Sequence, residues 1–240
     1  MSVSFQMCRR AALFVVLTLF VTTGNVAAAD ENPSKRWEGD IAKIEKRLEE
    51  TDNPQGRLLF IGSSSIRMWK LEQSFPDRRT LNHGFGGSEI ADSNHYFSRL
   101  VTAAKPSVVV LYAGDNDLAK GKTVEIVLRD FRQFVALAKE QLRPGTPICF
   151  IAIKPSLKRW SLADTIQSAN AAVQAECDAD PQLWYVDVWK PMLADDATPR
   201  KDVFLADGLH MNEAGYQIWK EALVPVLKQI RQQQNPQNDK

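Results

Sequence analysis

Five short apolar runs, separated by segments with helical periodicity, dominate the pattern of this chain of 240 residues. The runs lie at 58–61, 108–112, 148–153 and 183–188, with a weaker one at 80–82. Continuous apolar runs are typical of strands that are covered on both faces. Strands that alternate with helices predict a parallel sheet between two helical layers. We therefore expect an α/β protein with a flavodoxin-like doubly wound sheet of about five strands and helices on both faces.

The segments between the runs carry apolar residues at three- and four-residue intervals, which is the spacing of amphipathic helices. The predicted helices are 37–48, 89–104, 122–142, 162–177 and 219–230. No internal repeat or long linker divides the chain, so residues 30–230 are predicted to form a single domain. Residues 231–240, rich in Gln and Asn, are predicted to be a polar flexible tail.

The first 29 residues have the pattern of a secretory signal peptide. Arg9 and Arg10 precede an apolar run at 11–21, and small residues at 27–29 provide a cleavage site. The run is much shorter than the roughly 20 residues that a membrane-spanning helix needs. We therefore expect cleavage near Ala29 and a periplasmic or secreted protein, with an uncleaved N-terminal anchor as the alternative.

The charge balance restricts the partners of this protein. Thirty basic and 29 acidic side chains give a net charge of +1. Proteins that bind nucleic acid usually show a basic excess or stripe, so no nucleic-acid partner is expected. No stable membrane insertion of the mature chain is expected either.

Two cysteines follow the predicted signal peptide. Cys149 lies in an apolar run, and Cys177 continues the apolar stripe of a predicted helix. Both are interpreted as small buried hydrophobic residues. Because an exported protein meets an oxidising compartment, a disulfide between them is the alternative interpretation.

Polar, glycine-containing segments follow the apolar runs. In open α/β sheets, ligands bind beyond the carboxyl ends of the strands, so these segments are candidates for a site. They are GSSS at 62–65, NHGFGGS at 82–88 and GDND at 114–117, and DGLH at 207–210 stands near the C-terminus.

Together these segments contain the groups that serine nucleophile chemistry requires. A serine hydroxyl needs a base, usually histidine, and the histidine needs an orienting carboxylate. Asp207 and His210 are three residues apart and can touch in a turn. A glycine N–H and an asparagine amide can bind the developing oxyanion. Taken singly, the serines are explained as a helix cap, the glycines as a tight loop and Asp-Asn-Asp as an N-cap or calcium-type loop.

Metal and nucleotide chemistry is not expected. The histidines are His83, His95 and His210, without the H-E-x-x-H spacing of zinc enzymes. The chain also has no P-loop motif and no complete G-x-G-x-x-G motif. No cofactor and no metal are therefore predicted.

Taken in order, the four segments resemble those of the SGNH hydrolases, also called the GDSL esterase/lipase family. The resemblance runs from Leu58 to about Tyr216 and implies the SGNH hydrolase fold. It also implies a role for each matching residue. Ser64 would be the nucleophile, His210 the base and Asp207 its orienter, while Gly87, Asn116 and the Ser64 N–H would form the oxyanion hole.

One position departs from the family pattern, because Ser63 stands where the family has its Asp. The sequence is similar here to a G-S-S-S-I-R-x-W branch of the family. The departure leaves Ser63 and Ser65 as alternative nucleophiles. In a different register of the glycine loop, Gly84 or Gly86 would replace Gly87.

The resemblance implies an exported serine esterase that acts on carboxylic esters. Short connections and the lack of a long apolar lid favour acetyl-type esters of soluble alcohols or sugars, so the expected partner is a small-molecule or carbohydrate ester. The candidates for lining an open cleft, with packing residues as the alternative, are Arg67, Trp69, Lys154 and Trp160.

Three other functions stay open at this point. One is a lysophospholipase or thioesterase of the same family. Another is a non-catalytic envelope protein that binds glycans in a silent crevice. The third is an exported metal-dependent phosphoesterase that uses Asp115, Asp117 and histidine.

Overall fold

A computed structural model describes residue 1 and residues 32–234 of the chain. The predicted signal peptide, apart from its first residue, and the end of the predicted tail at 235–240 lie outside the described residues. All the elements below belong to the compact unit Pro33–Lys240.

The centre of this unit is a sheet of five parallel strands. The strands are β1 (Leu58–Gly62), β2 (Thr80–Gly84), β3 (Val108–Tyr112), β4 (Ile148–Ile151) and β5 (Leu183–Val186). Their order is β2-β1-β3-β4-β5, and each neighbouring pair is parallel. This is the flavodoxin-like order, in which the chain reverses direction across the sheet between β1 and β3. The predicted fold class is therefore confirmed.

Eight α-helices flank the sheet in the described part of the chain. They are α1 (Glu38–Glu49), α2 (Ser64–Arg67), α3 (Leu71–Ser74), α4 (Ile90–His95), α5 (Asp115–Ala119), α6 (Val124–Gln141), α7 (Ala163–Ala179) and α8 (Glu213–Gln234). Short 3-10 helices lie at Pro33–Trp37, Leu157–Leu162, Lys190–Met192 and Lys201–Val203. No described helix combines the length and the apolar character that crossing a membrane requires.

Two hydrophobic clusters lie on opposite faces of the sheet. Along β1, Leu59 and Ile61 point into one cluster, and Leu58 and Phe60 point into the other. The alternation follows from the two-residue period of a strand. The first cluster also contains apolar residues of α1, α4, α6 and α7, and the second contains those of α3 and α8. Burial on both faces explains why the strands appear in the sequence as continuous apolar runs.

The structure differs from the predicted elements at several places, including the short helices α2, α3 and α5, which were not predicted. The single helix predicted at 89–104 is instead α4 (Ile90–His95) followed by a π-helical turn at Ser98–Thr102. Strands β4 and β5 each end two residues before the predicted boundary. Helix α8 continues to Gln234, so the first four residues of the predicted tail are helical.

Candidate active site

Ser64 lies directly beyond the carboxyl end of β1, as the first residue of α2. The turn between strand and helix depends on Gly62, whose φ is 134°. A Cβ atom at this position would lie 1.9 Å from the backbone oxygen of Tyr112 on β3. Only glycine therefore allows the two strand ends to approach so closely. Ser64 therefore lies at the carboxyl edge of the sheet, beside the ends of β1 and β3.

The side chains of Ser64, His210 and Asp207 form a continuous chain of contacts. Nε2 of His210 lies 3.0 Å from Oγ of Ser64. Nδ1 of the same ring lies 2.5 Å from Oδ2 of Asp207. A carboxylate only accepts hydrogen bonds, so Nδ1 carries the proton and Nε2 is left as the acceptor for the Ser64 hydroxyl. This tautomer is the one that a base for Ser64 needs.

A tight turn holds Asp207 in position. Its Oδ1 accepts hydrogen bonds from the backbone N–H groups of Leu209 and His210, both at 2.9 Å. The hydrogen bond to the His210 ring, followed by that from the Leu209 N–H, lowers the pKa of Asp207 to about 2. The carboxylate is therefore ionised throughout the physiological pH range.

The candidate oxyanion donors lie on the other side of Ser64. Asn116 is in the first turn of α5, directly after β3, and its Nδ2 donates to the backbone oxygen of Ser88 at 2.9 Å. Gly87 has a φ of 77°, and a Cβ atom there would lie 3.2 Å from the ring of Trp37. Trp37, just before α1, therefore covers this loop from outside. Gly84 is a poorer donor than Gly87 because its N–H donates to Oδ1 of Asn82.

A cleft of about 430 Å³ is lined by Ser64, His210 and the two candidate oxyanion donors Gly87 and Asn116. A separate groove of about 410 Å³ lies between α3 and α8, and its lining includes Trp69 but none of the predicted catalytic or oxyanion-hole residues. The cleft thus gathers the four predicted segments at the carboxyl edge of the sheet. Its lining residues are Asp40, Ser64, Arg67, Gly86, Gly87, Asn116, Leu209 and His210.

The alternative nucleophiles are both buried. Ser63 caps α2, and its Oγ contacts no hydrogen-bond partner within the described chain. Oγ of Ser65 accepts a hydrogen bond from Nζ of Lys154 at 3.3 Å. Ser64 is the serine of this group that lines the cleft and contacts a histidine.

The sequence suggested four residues as candidates for lining the cleft. In the described part of the chain, Arg67 is the one of these four that lines it. Trp69 is buried and stacks on Tyr216, so packing explains it. Lys154 is buried as well, and Trp160 stacks on Trp189. Asp40 lines the cleft without having been singled out in the sequence, since it belongs to no distinctive pattern. Leu209 also lines the cleft, as a residue of the DGLH segment to which the sequence assigned no role.

The other histidines and the remaining aspartates of the GDND segment serve different contacts. His83 is buried, with Nδ1 at 2.7 Å from the backbone oxygen of Leu100, and His95 packs edge-on against Tyr96. Asp117 contacts Lys122 at 3.0 Å. Within residues 32–234, no group of three His, Cys, Asp or Glu side chains is arranged to hold a metal ion.

A charged cluster lies beneath the cleft. Oδ2 of Asp115 lies 3.3 Å from Nζ of Lys154 and 2.9 Å from Nη1 of Arg159. Burial opposes ionisation of Asp115, but the two cations outweigh it and lower the pKa of the carboxyl group. Nζ of Lys154 also contacts the Tyr112 hydroxyl at 3.0 Å. Arg159 was missed in the sequence, because an arginine in the run Lys-Arg-Trp looks like an ordinary surface residue.

The doubly wound sheet and the strand-end segments define the fold of the SGNH hydrolases. The model of the GDSL-like Lipase/Acylhydrolase family matches residues 62–218, well over half of the chain. The chain therefore belongs to the GDSL-like lipase/acylhydrolase family. No curated protein sequence matches it significantly.

Several solved structures share the fold. A Streptococcus pneumonia protein assigned as a platelet activating factor has 24% identity and a TM-score of 0.71, covering 80% of this chain and 93% of its own. A carbohydrate esterase of family 3 from Talaromyces cellulolyticus has 18% identity and a TM-score of 0.60, covering 74% and 99%. The acetyl xylan esterase Axe2 from Geobacillus stearothermophilus has 19% identity and a TM-score of 0.57, covering 74% and 96%.

Proposed function

We propose that this protein is an exported serine esterase that hydrolyses short-acyl, acetyl-type esters of soluble alcohols or sugars. One observation carries the proposal: Ser64, His210 and Asp207 lie in hydrogen-bond contact in that order, at 3.0 and 2.5 Å. Membership of a lipase/acylhydrolase family supports the same reaction class.

The reaction begins with attack of the Ser64 Oγ on the ester carbonyl, while Nε2 of His210 takes the hydroxyl proton. Asp207 stabilises the imidazolium that forms, since its carboxylate accepts the Nδ1 proton. The carbonyl oxygen becomes an oxyanion, which the Gly87 N–H, the Ser64 N–H and Nδ2 of Asn116 bind.

Collapse of this intermediate breaks the bond to the alcohol oxygen, which leaves with the proton from His210. An acyl-enzyme on Ser64 results. Water then attacks the acyl carbonyl, His210 accepts a proton from the water, and the carboxylic acid is released as Oγ recovers its proton.

The character of the cleft supports a small and polar substrate. Most of its lining residues are polar side chains or glycines, and they come from the short segments after the strands, together with Asp40 of α1. An aromatic or aliphatic wall suited to a long acyl chain is not among the lining residues. Axe2, which has a similar fold, is an acetyl xylan esterase, and this agrees with an acetyl ester of a sugar as the substrate class.

Export is the second part of the proposal. It is supported by the basic, apolar and small-residue segments in residues 1–29. Expression of the full chain in a Gram-negative host, followed by fractionation and mass spectrometry of the N-terminus, tests it. We expect a mature protein that starts near Asp30 outside the cytoplasm. An intact N-terminus in the cytoplasmic fraction would contradict export without affecting the esterase proposal.

The esterase proposal is tested by hydrolysis of p-nitrophenyl acetate, butyrate and octanoate. We expect activity on acetate to exceed that on octanoate, and Ser64→Ala or His210→Ala to lower kcat by roughly three or more orders of magnitude. Ser63→Ala is the matched control, because the Ser63 hydroxyl is buried and contacts no partner. Full activity of Ser64→Ala, or loss of activity in Ser63→Ala with a stable fold, would refute the assignment of the nucleophile.

A further inference from the structure

Arg159 lies below the cleft, in the 3-10 helix that follows β4. Its side chain is only 15% exposed. Nη2 donates a hydrogen bond to Oδ1 of Asn116 at 2.8 Å. Nη1 lies 2.9 Å from the carboxylate of Asp115, which also contacts Lys154. A single guanidinium therefore joins a buried carboxylate to the side-chain amide that faces the cleft.

These contacts fix the orientation of the Asn116 amide. A guanidinium can only donate hydrogen bonds, and a backbone carbonyl can only accept them. Oδ1 must therefore face Arg159, and Nδ2 must face the backbone oxygen of Ser88. Nδ2 carries two hydrogens, and Ser88 uses one of them. The other stays available to an oxyanion on Ser64.

The charge of Arg159 also affects the strength of this donor. A cation at the oxygen of an amide polarises the group, so its N–H becomes a better donor. Water is largely excluded around Arg159, which makes this effect larger than at a surface. Asp115 holds the guanidinium in place, and Lys154 in turn holds Asp115.

The same loop is attached to the opposite side of the cleft. The backbone N–H of Lys158 donates to the backbone oxygen of Gly208 at 2.9 Å. Gly208 stands between Asp207 and His210 in the sequence. This hydrogen bond fixes the segment that carries Arg159 to the turn that carries His210. It therefore helps to maintain the distance between the proposed donor Asn116 and the proposed base His210.

We propose that Arg159 is a positioning residue of the oxyanion hole, which orients and polarises Asn116 and acts on the reaction through it. This inference depends on the proposed esterase function. In this proposal Arg159 does not contact the substrate, so its effect belongs in the rates of acylation and deacylation, which both pass through an oxyanion, rather than in substrate binding.

The test is a double-mutant cycle on p-nitrophenyl acetate hydrolysis. We expect Arg159→Met to lower kcat by about 10- to 100-fold while KM changes by less than about threefold, as is typical of a weakened oxyanion donor. In the Asn116→Ala background, Arg159→Met should cause no further loss. Arg159→Lys should be intermediate, because it keeps the charge but lacks the planar fork. Guanidinium ion at millimolar concentration should restore part of the activity of Arg159→Met.

Arg132→Met is the matched control, since Arg132 pairs with Glu176 on the surface. Thermal unfolding of each variant shows that the fold is intact. Additive losses in the double mutant, or full activity of Arg159→Met, would overturn the inference while leaving the esterase proposal in place. If the wild-type protein neither hydrolyses the ester nor reacts with a fluorophosphonate, both proposals are overturned.

Discussion

Ser64 and His210 are separated by 146 residues in the sequence, yet Oγ of one lies 3.0 Å from Nε2 of the other. The contact arises because both stand at the carboxyl edge of one parallel sheet. Ser64 begins the helix after β1, and His210 follows the last strand on a turn fixed by Asp207. The topology of the sheet, rather than any local sequence, therefore brings nucleophile and base together.

The first prediction concerns Asp207→Asn. This change removes the negative charge and lets the side chain stabilise the wrong tautomer of His210, so we expect kcat to fall on the order of 10²–10⁴-fold. Asp196→Asn is the control, because Oδ1 of Asp196 accepts the N–H of Thr198 in a similar turn without a histidine nearby. Equal activity of the two variants on p-nitrophenyl acetate would exclude a role for Asp207.

Much of this site was predictable from the sequence. The apolar runs identified the strands because both faces of the sheet are buried, and the strand ends then located Ser64 and Asn116. The Asp-x-x-His spacing located His210. Each of these residues stands in a short segment whose composition differs from its surroundings. Local patterns of this kind can be recognised in a single sequence.

The supporting contacts were not predictable in the same way. Arg159 and Asn116 are 43 residues apart, and nothing in either segment indicates that they touch. Lys154 looked like a candidate for the cleft, but its ammonium is buried against Asp115 and Tyr112. Which charged residues pair with each other depends on the tertiary structure. The periodicity of apolar residues indicates only which face of a helix or strand is buried.

The second prediction concerns Gly87→Ala. A side chain here meets two obstacles, since φ is 77° and the new Cβ would lie 3.2 Å from the Trp37 ring. Gly145→Ala is a matched control, because Gly145 also has a φ of 77° but no atom lies near its Cβ position. The backbone strain of about 1–2 kcal/mol should appear in both variants.

Only Gly87→Ala should also lose activity, by at least about tenfold, because the shifted loop moves a proposed oxyanion donor. Urea unfolding and kcat/KM measured on both variants check this. A Gly145→Ala variant that loses as much activity as Gly87→Ala would contradict the placement of the donor.

The third prediction concerns the pH dependence of stability, in which two buried groups oppose each other. Desolvation lowers the pKa of His83 to about 4 and raises the pKa of Asp117 to about 6. The unfolded chain binds a proton at His83 more readily than the folded one, so acidification from pH 7 to 4 destabilises the fold. The folded chain binds a proton at Asp117 more readily, so the same acidification is stabilising there. Each effect amounts to roughly 2–3 kcal/mol.

Single substitutions should separate these two effects. On acidification from pH 7 to 4, Asp117→Asn should lose roughly 2–3 kcal/mol more of its unfolding free energy than the wild type, since only the His83 effect remains. His83→Asn should lose correspondingly less, and an asparagine amide can still donate to the Leu100 oxygen. Urea unfolding at both pH values measures the differences. A difference between Asp117→Asn and wild type that does not change with pH would contradict the prediction.

The fourth prediction concerns the cysteines, for which the sequence left a disulfide open. Cys149 and Cys177 are both free and buried, and they belong to the two clusters on opposite faces of the sheet. Burial raises the pKa of both thiols, that of Cys177 to about 12, so neither forms a reactive thiolate in the folded protein. We therefore expect the chain from residue 30 to react with Ellman's reagent at two thiols in guanidinium chloride, and hardly at all when folded. Dithiothreitol should leave Tm unchanged, whereas a drop in Tm on reduction would show that the two cysteines are bridged.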